Sequence, residues 1–250
     1  ALLSRAGGNP LYAGEYVRML VDRGLVGPAA GRETTAELPL PESIQAIIAA
    51  RLDALPAAEK ALLQDAAVIG RAFWAGALVT LGGLPRWRVE ERLLALERKG
   101  FVRRDRRSSV DREAQYAFWH ILSRDVAYGQ IPRGGRAEKH RLAAAWIESL
   151  NVERAEDRAE MLAHHYLSAL EFARASGQEV DSLAEPSRIA LREAGDRAMG
   201  LNAFAAAVRF YRAALELWPE ADPERAELLF RYGRARFNPE SAGAEVMAEA

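Results

Sequence analysis

Apolar residues recur at three- and four-residue spacing along almost the whole chain of 250 residues. This spacing is typical of amphipathic helices that bury one face. Near the start, one stripe contains two tyrosines and two aliphatic residues: Tyr12, Tyr16, Met19 and Leu20. After Pro41, five aliphatic side chains share a helical face: Ile44, Ile47, Ile48, Leu52 and Leu55. Only 101–105 and 115–119 have the pattern of strands, so the sequence predicts a mainly α fold with one small β-hairpin.

The stretch 188–219 carries the signature of a helical repeat. Five residues match tetratricopeptide positions in register: Gly195, Ala207, Tyr211, Ala214 and Pro219. Small residues at these positions let two helices approach, the aromatic ring fills the space between them, and the proline ends the second helix. Residues 158–176 and 227–237 resemble parts of neighbouring repeats. We therefore expect a tetratricopeptide-like α-solenoid over 155–250, and we expect the array to continue past residue 250.

Composition excludes several classes of protein. The net charge is -1, which gives no overall attraction to nucleic acid or anionic membranes. There is no cysteine, which excludes disulfides and cysteine-bound metal and fits a reducing cytosol. No apolar run approaches the roughly 20 residues that a membrane span requires. We expect a cytoplasmic chain that does not bind membranes.

No residue pattern indicates catalysis. A phosphate-binding loop needs a glycine directly before its lysine, and none of the three lysines has one: Lys60, Lys99 and Lys139. No serine elbow and no cysteine–histidine pair is present, so we expect no catalytic residue and no cofactor bound by this chain. His164 and His165 are adjacent and point about 100° apart on a helix, so they do not readily share one ion. We therefore expect no metal site.

Three predicted helices followed by the hairpin give the element order of a winged helix, a domain that often binds DNA. The third helix, 86–99, carries five basic residues, but Glu90, Glu91 and Glu97 share its outer face. Carboxylates in a major groove meet the phosphate potential unfavourably. We expect no specific DNA binding, although a DNA-binding transcription regulator stays open as an alternative.

Several stretches resemble the C-terminal part of a signalling ATPase of the STAND type, a branch of the AAA class. The most telling are "LPLPESIQAIIAARLDALPAAEKALLQDAAVIG", "LERKGFVRRDRRSS" and "RDVAYGQIPR". The likeness covers roughly 1–237. It is closest to the ATPase modules linked to bacterial class III adenylate/guanylate cyclases, and LuxR-type regulators share the same module.

The resemblance implies two nucleotide-binding elements, which would act with an ATPase core upstream that binds ATP or ADP with Mg²⁺. Gly8, Asn9 and Pro10 match the motif that closes the nucleotide-binding domain, where the proline lies against adenine. The same residues also suit an ordinary helix start, with Asn9 as cap and Pro10 at the first position. His120, at the tail of the winged helix, occupies a place comparable to the histidine that contacts the β-phosphate of ADP in relatives. A histidine of the core is the alternative.

These observations predict three segments: 1–55, the end of the ATPase core and its helical lid; 56–150, the winged helix with trailing helices; and 155–250, the truncated repeats. The predicted function is regulatory, coupling nucleotide state and partner sensing to an output domain outside this chain. The alternatives are the LuxR-type regulator and a plain repeat scaffold. A protein or peptide partner would bind a groove of the repeats. We name Arg192, Asn202 and Arg209 as groove candidates, with ordinary surface residues as the alternative.

Overall fold

The computed structural model describes residues 10–22, 43–150 and 158–237. These residues are mainly helical and include one small three-stranded sheet, which confirms the predicted mainly α fold class. The chain divides into two compact units between Ile131 and Pro132, and each is described by itself. None of the described helices is long and apolar enough to cross a membrane.

Six helices and three short strands make up the described part of the first unit. In chain order they are α1 (Pro10–Asp22), α2 (Ile44–Asp53), α3 (Ala57–Ile69), β1 (Ala72–Trp74), α4 (Ala75–Gly82), α5 (Arg86–Arg98), β2 (Val102–Arg104), β3 (Gln115–Phe118) and α6 (Ile121–Gly129). Gly8 and Asn9 lie outside the described residues, and Pro10 is the first residue of α1. The start of α2 is capped by Ser43, whose hydroxyl oxygen accepts a hydrogen bond from the Ala46 N–H at 3.2 Å.

The sheet contains one more strand than the sequence pattern indicates. The strands lie in the order β1-β3-β2, and both pairs are antiparallel. β1 has only three residues, too few to show a periodicity, and its Phe73 pairs with Tyr116 of β3. The ring of Phe73 is fully buried and meets that of Phe118 edge-on, with centroids 5.5 Å apart. The sheet thereby closes over the apolar side of α5, where Val89, Leu93 and Leu96 are buried.

Helices α1 and α2 form a small apolar cluster of their own. Tyr12, Tyr16 and Met19 of α1 pack with Ile47 of α2, and the two tyrosine rings are stacked. This is the stripe that the sequence predicts for α1. On the same helices, however, the structure also buries two charged side chains, which are described below.

The described part of the second unit contains five helices: α7 (Arg133–Ser149), α8 (Arg158–Ala175), α9 (Asp181–Gly200), α10 (Phe204–Leu217) and α11 (Glu224–Arg236). Each helix packs against the next one in the chain. Helix α7 lies within the predicted segment 56–150, and it packs against α8.

The contact between α9 and α10 explains the repeat signature. The Tyr211 ring of α10 is buried against Gly195 of α9, where a Cβ would lie 2.6 Å from Tyr211 Cδ1. Only glycine permits this approach. The Tyr211 hydroxyl donates to Asp196 Oδ1 at 2.8 Å, and Ala207 and Ala214 are fully buried in the same cluster. Helix α10 ends at Leu217, two residues before Pro219.

Candidate functional site

A buried arginine joins α1, α2 and the end of α5. Arg51 lies on α2 and is 2% exposed. Its Nη1 pairs with the carboxylate of Glu15, and its Nε lies 2.8 Å from Asp22 Oδ2, so both partners are on α1. Its Nη2 donates to the backbone carbonyl of Lys99 at 2.7 Å. The planar guanidinium thus binds three groups at once, each through a different nitrogen of its fixed plane.

Two aromatic rings and a second arginine complete this cluster. The Arg51 guanidinium carbon lies 4.4 Å from the centroid of the Phe101 ring, just before β2. Arg18 Nη1 binds the other oxygen of Glu15, Oε1, at 2.9 Å. The Arg18 guanidinium is also 5.9 Å from the Trp119 ring, directly after β3. Arg51 therefore contacts α1 and Phe101, and Arg18, itself on α1, contacts Trp119.

His120 is the fifth charged or titratable group at this site, after Arg51, Glu15, Asp22 and Arg18. Its Nε2 lies 4.0 Å from Glu15 Oε1, and its side chain is 32% exposed. Burial lowers the pKa of His120 below its ordinary value, and the Glu15 carboxylate opposes that shift only in part. The imidazole is therefore mainly neutral near pH 7. We name the set Glu15, Arg18, Arg51 and His120 the ion network.

Charges are buried here only because they are paired. Moving an isolated carboxylate or guanidinium out of water is very costly, and good geometry with several hydrogen bonds offsets that cost. Glu15 is 1% exposed and receives contacts from two arginines. A displacement of α1 away from α2 and His120 would break several of these contacts together. The ion network therefore makes the position of α1 depend on that of α2 and of the segments next to β2 and β3.

The sequence contains a signal for the ion network that belongs to no motif: two charged residues on apolar helix faces. Glu15 falls on the apolar stripe of α1, three residues after Tyr12 and four before Met19. Arg51 likewise falls on the isoleucine face of α2, four residues after Ile47. A charged residue at a position that periodicity assigns to the core requires a partner there. What the sequence could not show is that these two residues are partners of each other.

The predicted nucleotide-binding residues are only partly described. Pro10 is exposed at the first position of α1, five residues before Glu15. At a helical rise of about 1.5 Å per residue, the two lie roughly 7–8 Å apart along the helix axis. Helix α1 therefore connects Pro10 to the residue that His120 faces. Whether Pro10 or His120 contacts a nucleotide stays a prediction.

Two of the three groove candidates lie together. Asn202 and Arg209 both line an open cavity of about 370 Å³ at the turn between α9 and α10. Asn202 has a φ of 59°, a left-handed conformation that asparagine tolerates better than most residues. Arg192 does not line that cavity. Its Nη1 binds Glu224 Oε2 at 2.8 Å, and its guanidinium lies 5.3 Å from the Trp218 ring.

Three basic residues of α5 and its C-terminal end have acidic partners. Arg86 Nη2 lies 2.6 Å from Glu113 Oε1, and this pairing is the main reason that the pKa of Arg86 is raised. Lys99 Nζ is 2.6 Å from Glu59 Oε2. Arg88 contacts Glu91 at 3.5 Å and lies against its neighbour, Trp87. These pairs leave less positive charge for a phosphate backbone than the count of arginines suggests.

The structure also brings together three histidines that the sequence analysis treated separately. His140 of α7 meets His164 and His165 of α8, and one ring nitrogen from each of the three lies within 4.8 Å of the other two. In the sequence, His164 and His165 show only the divergence of neighbours on one helix. The packing of α7 on α8 places a third histidine, His140, beside both.

The sequence matches no protein-family model, and no curated protein is similar enough to it to count as a match.

Proposed function

We propose that this chain is the regulatory part of a nucleotide-controlled signalling ATPase, in which α1 passes the state of the nucleotide to the winged helix. The observation that carries the proposal is the ion network, which joins α1 to α2 and the winged helix through buried charges. The parent protein would supply the ATP- or ADP-binding core with Mg²⁺ and an output domain, for which the resemblance favours a nucleotide cyclase. The lack of cysteine supports a cytoplasmic location.

The physical basis is that an interface with buried charges has two discrete states rather than a continuous range of positions. Glu15 is stable in a dry site only while its arginine partners hold it, so α1 is either docked or released. A nucleotide that contacts the start of α1 changes this equilibrium only if its contacts differ between the two states. Coupling energies of this kind are typically about 1–3 kcal/mol.

His120 is suited to respond to such a change. In the docked state its side chain is partly shielded from water, and its Nε2 lies 4.0 Å from Glu15 Oε1. An ADP phosphate bound beside His120 would add a second negative charge, after that of Glu15, and would favour the protonated imidazole. Such a contact would be lost when α1 and the winged helix separate, which is the differential contact that a nucleotide switch requires.

We further propose that the helices of the second unit bind a protein or peptide partner. Stacked helix pairs bury faces on their neighbours and leave an inner surface open. The cavity lined by Asn202 and Arg209 is the open surface that supports this part of the proposal. Specific DNA binding is not proposed, because carboxylates pair with Arg86 and Arg88 on α5.

The experiment uses the parent protein with its upstream core. ADP affinity, thermal stability and output activity are measured for the wild type, His120→Ala and Arg103→Ala. Arg103 is an exposed residue of β2 and serves as the matched control. His120→Ala should weaken ADP retention and raise the output by roughly 5- to 150-fold if the full coupling is lost, and Arg103→Ala should change neither.

Three results would overturn the proposal. One is a parent protein that binds no adenine nucleotide. Another is a His120→Ala variant that melts at a lower temperature while its folded fraction keeps the wild-type ADP affinity, which would make His120 a residue of the core. The third is equal behaviour of His120→Ala and the control.

A further inference from the structure

Three of the four histidines of this chain converge between α7 and α8, in the second unit. His140 and His165 are buried, 1% and 2% exposed, and their Nδ1 atoms lie 2.9 Å apart. His164 is exposed, and its ring lies beside both. The ring centroids are separated by 5.1, 5.8 and 5.2 Å, so the three rings form a nearly equilateral triangle.

We propose that His140, His164 and His165 bind one divalent transition-metal ion of the class that prefers imidazole ligands, with Zn²⁺ as its representative. Zn–N bonds of about 2.0–2.1 Å in a tetrahedral site place ligand nitrogens about 3.3 Å apart and the ring centroids about 5 Å apart. The observed centroid distances of 5.1–5.8 Å agree with that arrangement. The nitrogen separations, from 2.9 Å to at most 4.8 Å, bracket the required value.

Only a small movement is needed to form the site. The largest nitrogen separation, which is at most 4.8 Å, must shorten by no more than about 1.5 Å to reach tetrahedral spacing. His164 can supply that movement because its side chain is exposed, whereas His140 and His165 are held in the core. The Phe172 ring stacks on His140 with centroids 6.0 Å apart and restrains the orientation of that imidazole.

Metal binding by these histidines requires no net gain or loss of protons. At 2.9 Å the two Nδ1 atoms share one proton, which one ring donates and the other accepts. When a metal ion binds, the donating ring moves its proton from Nδ1 to Nε2. The Nδ1 lone pairs of both rings are then available to coordinate the ion. Each ligand is a neutral imidazole, the form in which histidine binds metals. Three histidines leave a fourth position for water on the exposed side, as in zinc sites with three protein ligands.

The ion would connect α7 to α8, which precede and follow residues 151–157 in the sequence. Because its ligands come from both helices, it binds the packed pair and not the separated helices. Binding should therefore stabilise the second unit in proportion to the logarithm of the free metal concentration above its dissociation constant. This effect is a readout that requires no enzymatic activity.

The test uses the full chain purified without a polyhistidine tag and titrated with Zn²⁺ by calorimetry and with Co²⁺ by visible absorption. The wild type should bind one ion per chain, and Zn²⁺ should raise its melting temperature. His164→Ala should weaken binding by at least about 10- to 100-fold, the range found even for residues that only support a ligand. Arg174→Ala is the matched control, because it removes an exposed residue of the same helix, α8, that is not part of the cluster.

Substituting His164 leaves the buried residues in place, so a loss of binding there is not a loss of folding, which circular dichroism checks. A second variant, His165→Asn, should also lose binding and keeps a polar side chain in the core. The proposal is overturned if the wild type binds no Zn²⁺ at micromolar concentrations. It is equally overturned if His164→Ala binds Zn²⁺ as tightly as Arg174→Ala, since the buried pair would then be only a hydrogen bond.

Discussion

Replacing Arg51 by methionine should destabilise the docking of α1 far more than the loss of one surface charge would. Arg51→Met keeps the length and apolar character of the side chain over Phe101 but removes every N–H donor. Glu15, 1% exposed, then loses its buried partner, and the Lys99 carbonyl loses its donor. Removing one member of a buried ion pair typically costs about 3–5 kcal/mol. We expect a cost of that size for Arg51→Met.

Arg18→Met is the matched control. Arg18 binds the same carboxylate, but its side chain is 37% exposed. Exposed ion pairs are worth about 0.2–1 kcal/mol, so this variant should remain within about 1 kcal/mol of the wild type. The double variant Glu15→Leu with Arg51→Met should recover most of the stability lost by Arg51→Met, because an apolar pair of similar volume is often no worse than a buried ion pair.

Amide hydrogen exchange measured by mass spectrometry at increasing urea follows peptides from α1 and α2 separately. This choice avoids treating a chain of two compact units as one cooperative transition. The reasoning is refuted if Arg51→Met costs no more than Arg18→Met. It is also refuted if the double variant is as unstable as Arg51→Met alone, since the loss would then come from packing rather than from the stranded carboxylate.

Three other predictions concern His120, Gly195 and DNA binding. Burial lowers the pKa of His120, so the unfolded chain binds protons more readily and stability should fall as the pH drops through about 6.5; His120→Gln should flatten that part of the melting-temperature profile. Gly195→Ala should cost about 1–3 kcal/mol in urea unfolding because its Cβ would overlap the ring of Tyr211, whereas Gly233→Ala, with no neighbour within 4 Å, should be neutral or stabilising. In a gel-shift assay at about 100 mM salt the chain should show only weak, salt-sensitive binding to duplex DNA, and sequence-selective binding lost in Arg88→Ala would contradict this.

Periodicity in the sequence was enough for most of the helices. The apolar faces of α1, α2 and α5 are buried as their spacing predicts, because a repeat of about 3.6 residues is a local property of the chain. The contact of Gly195 with Tyr211 was also foreseeable, since it depends on two residue types at a fixed separation. The strand β1 was not, because three residues are too short to carry a pattern and only pairing with β3 makes them a strand.

The chemistry of the two sites depended on tertiary structure. Glu15 and Arg51 are 36 residues apart, and His140 and His165 are 25 apart. Each sequence position, taken alone, shows only a polar residue on an otherwise apolar helix. A charge or an imidazole on a buried face indicates that a partner must exist, because an unpaired polar group in the core is too costly. Which residue is that partner depends on how the helices pack, and only the folded chain brings the paired groups within bonding distance.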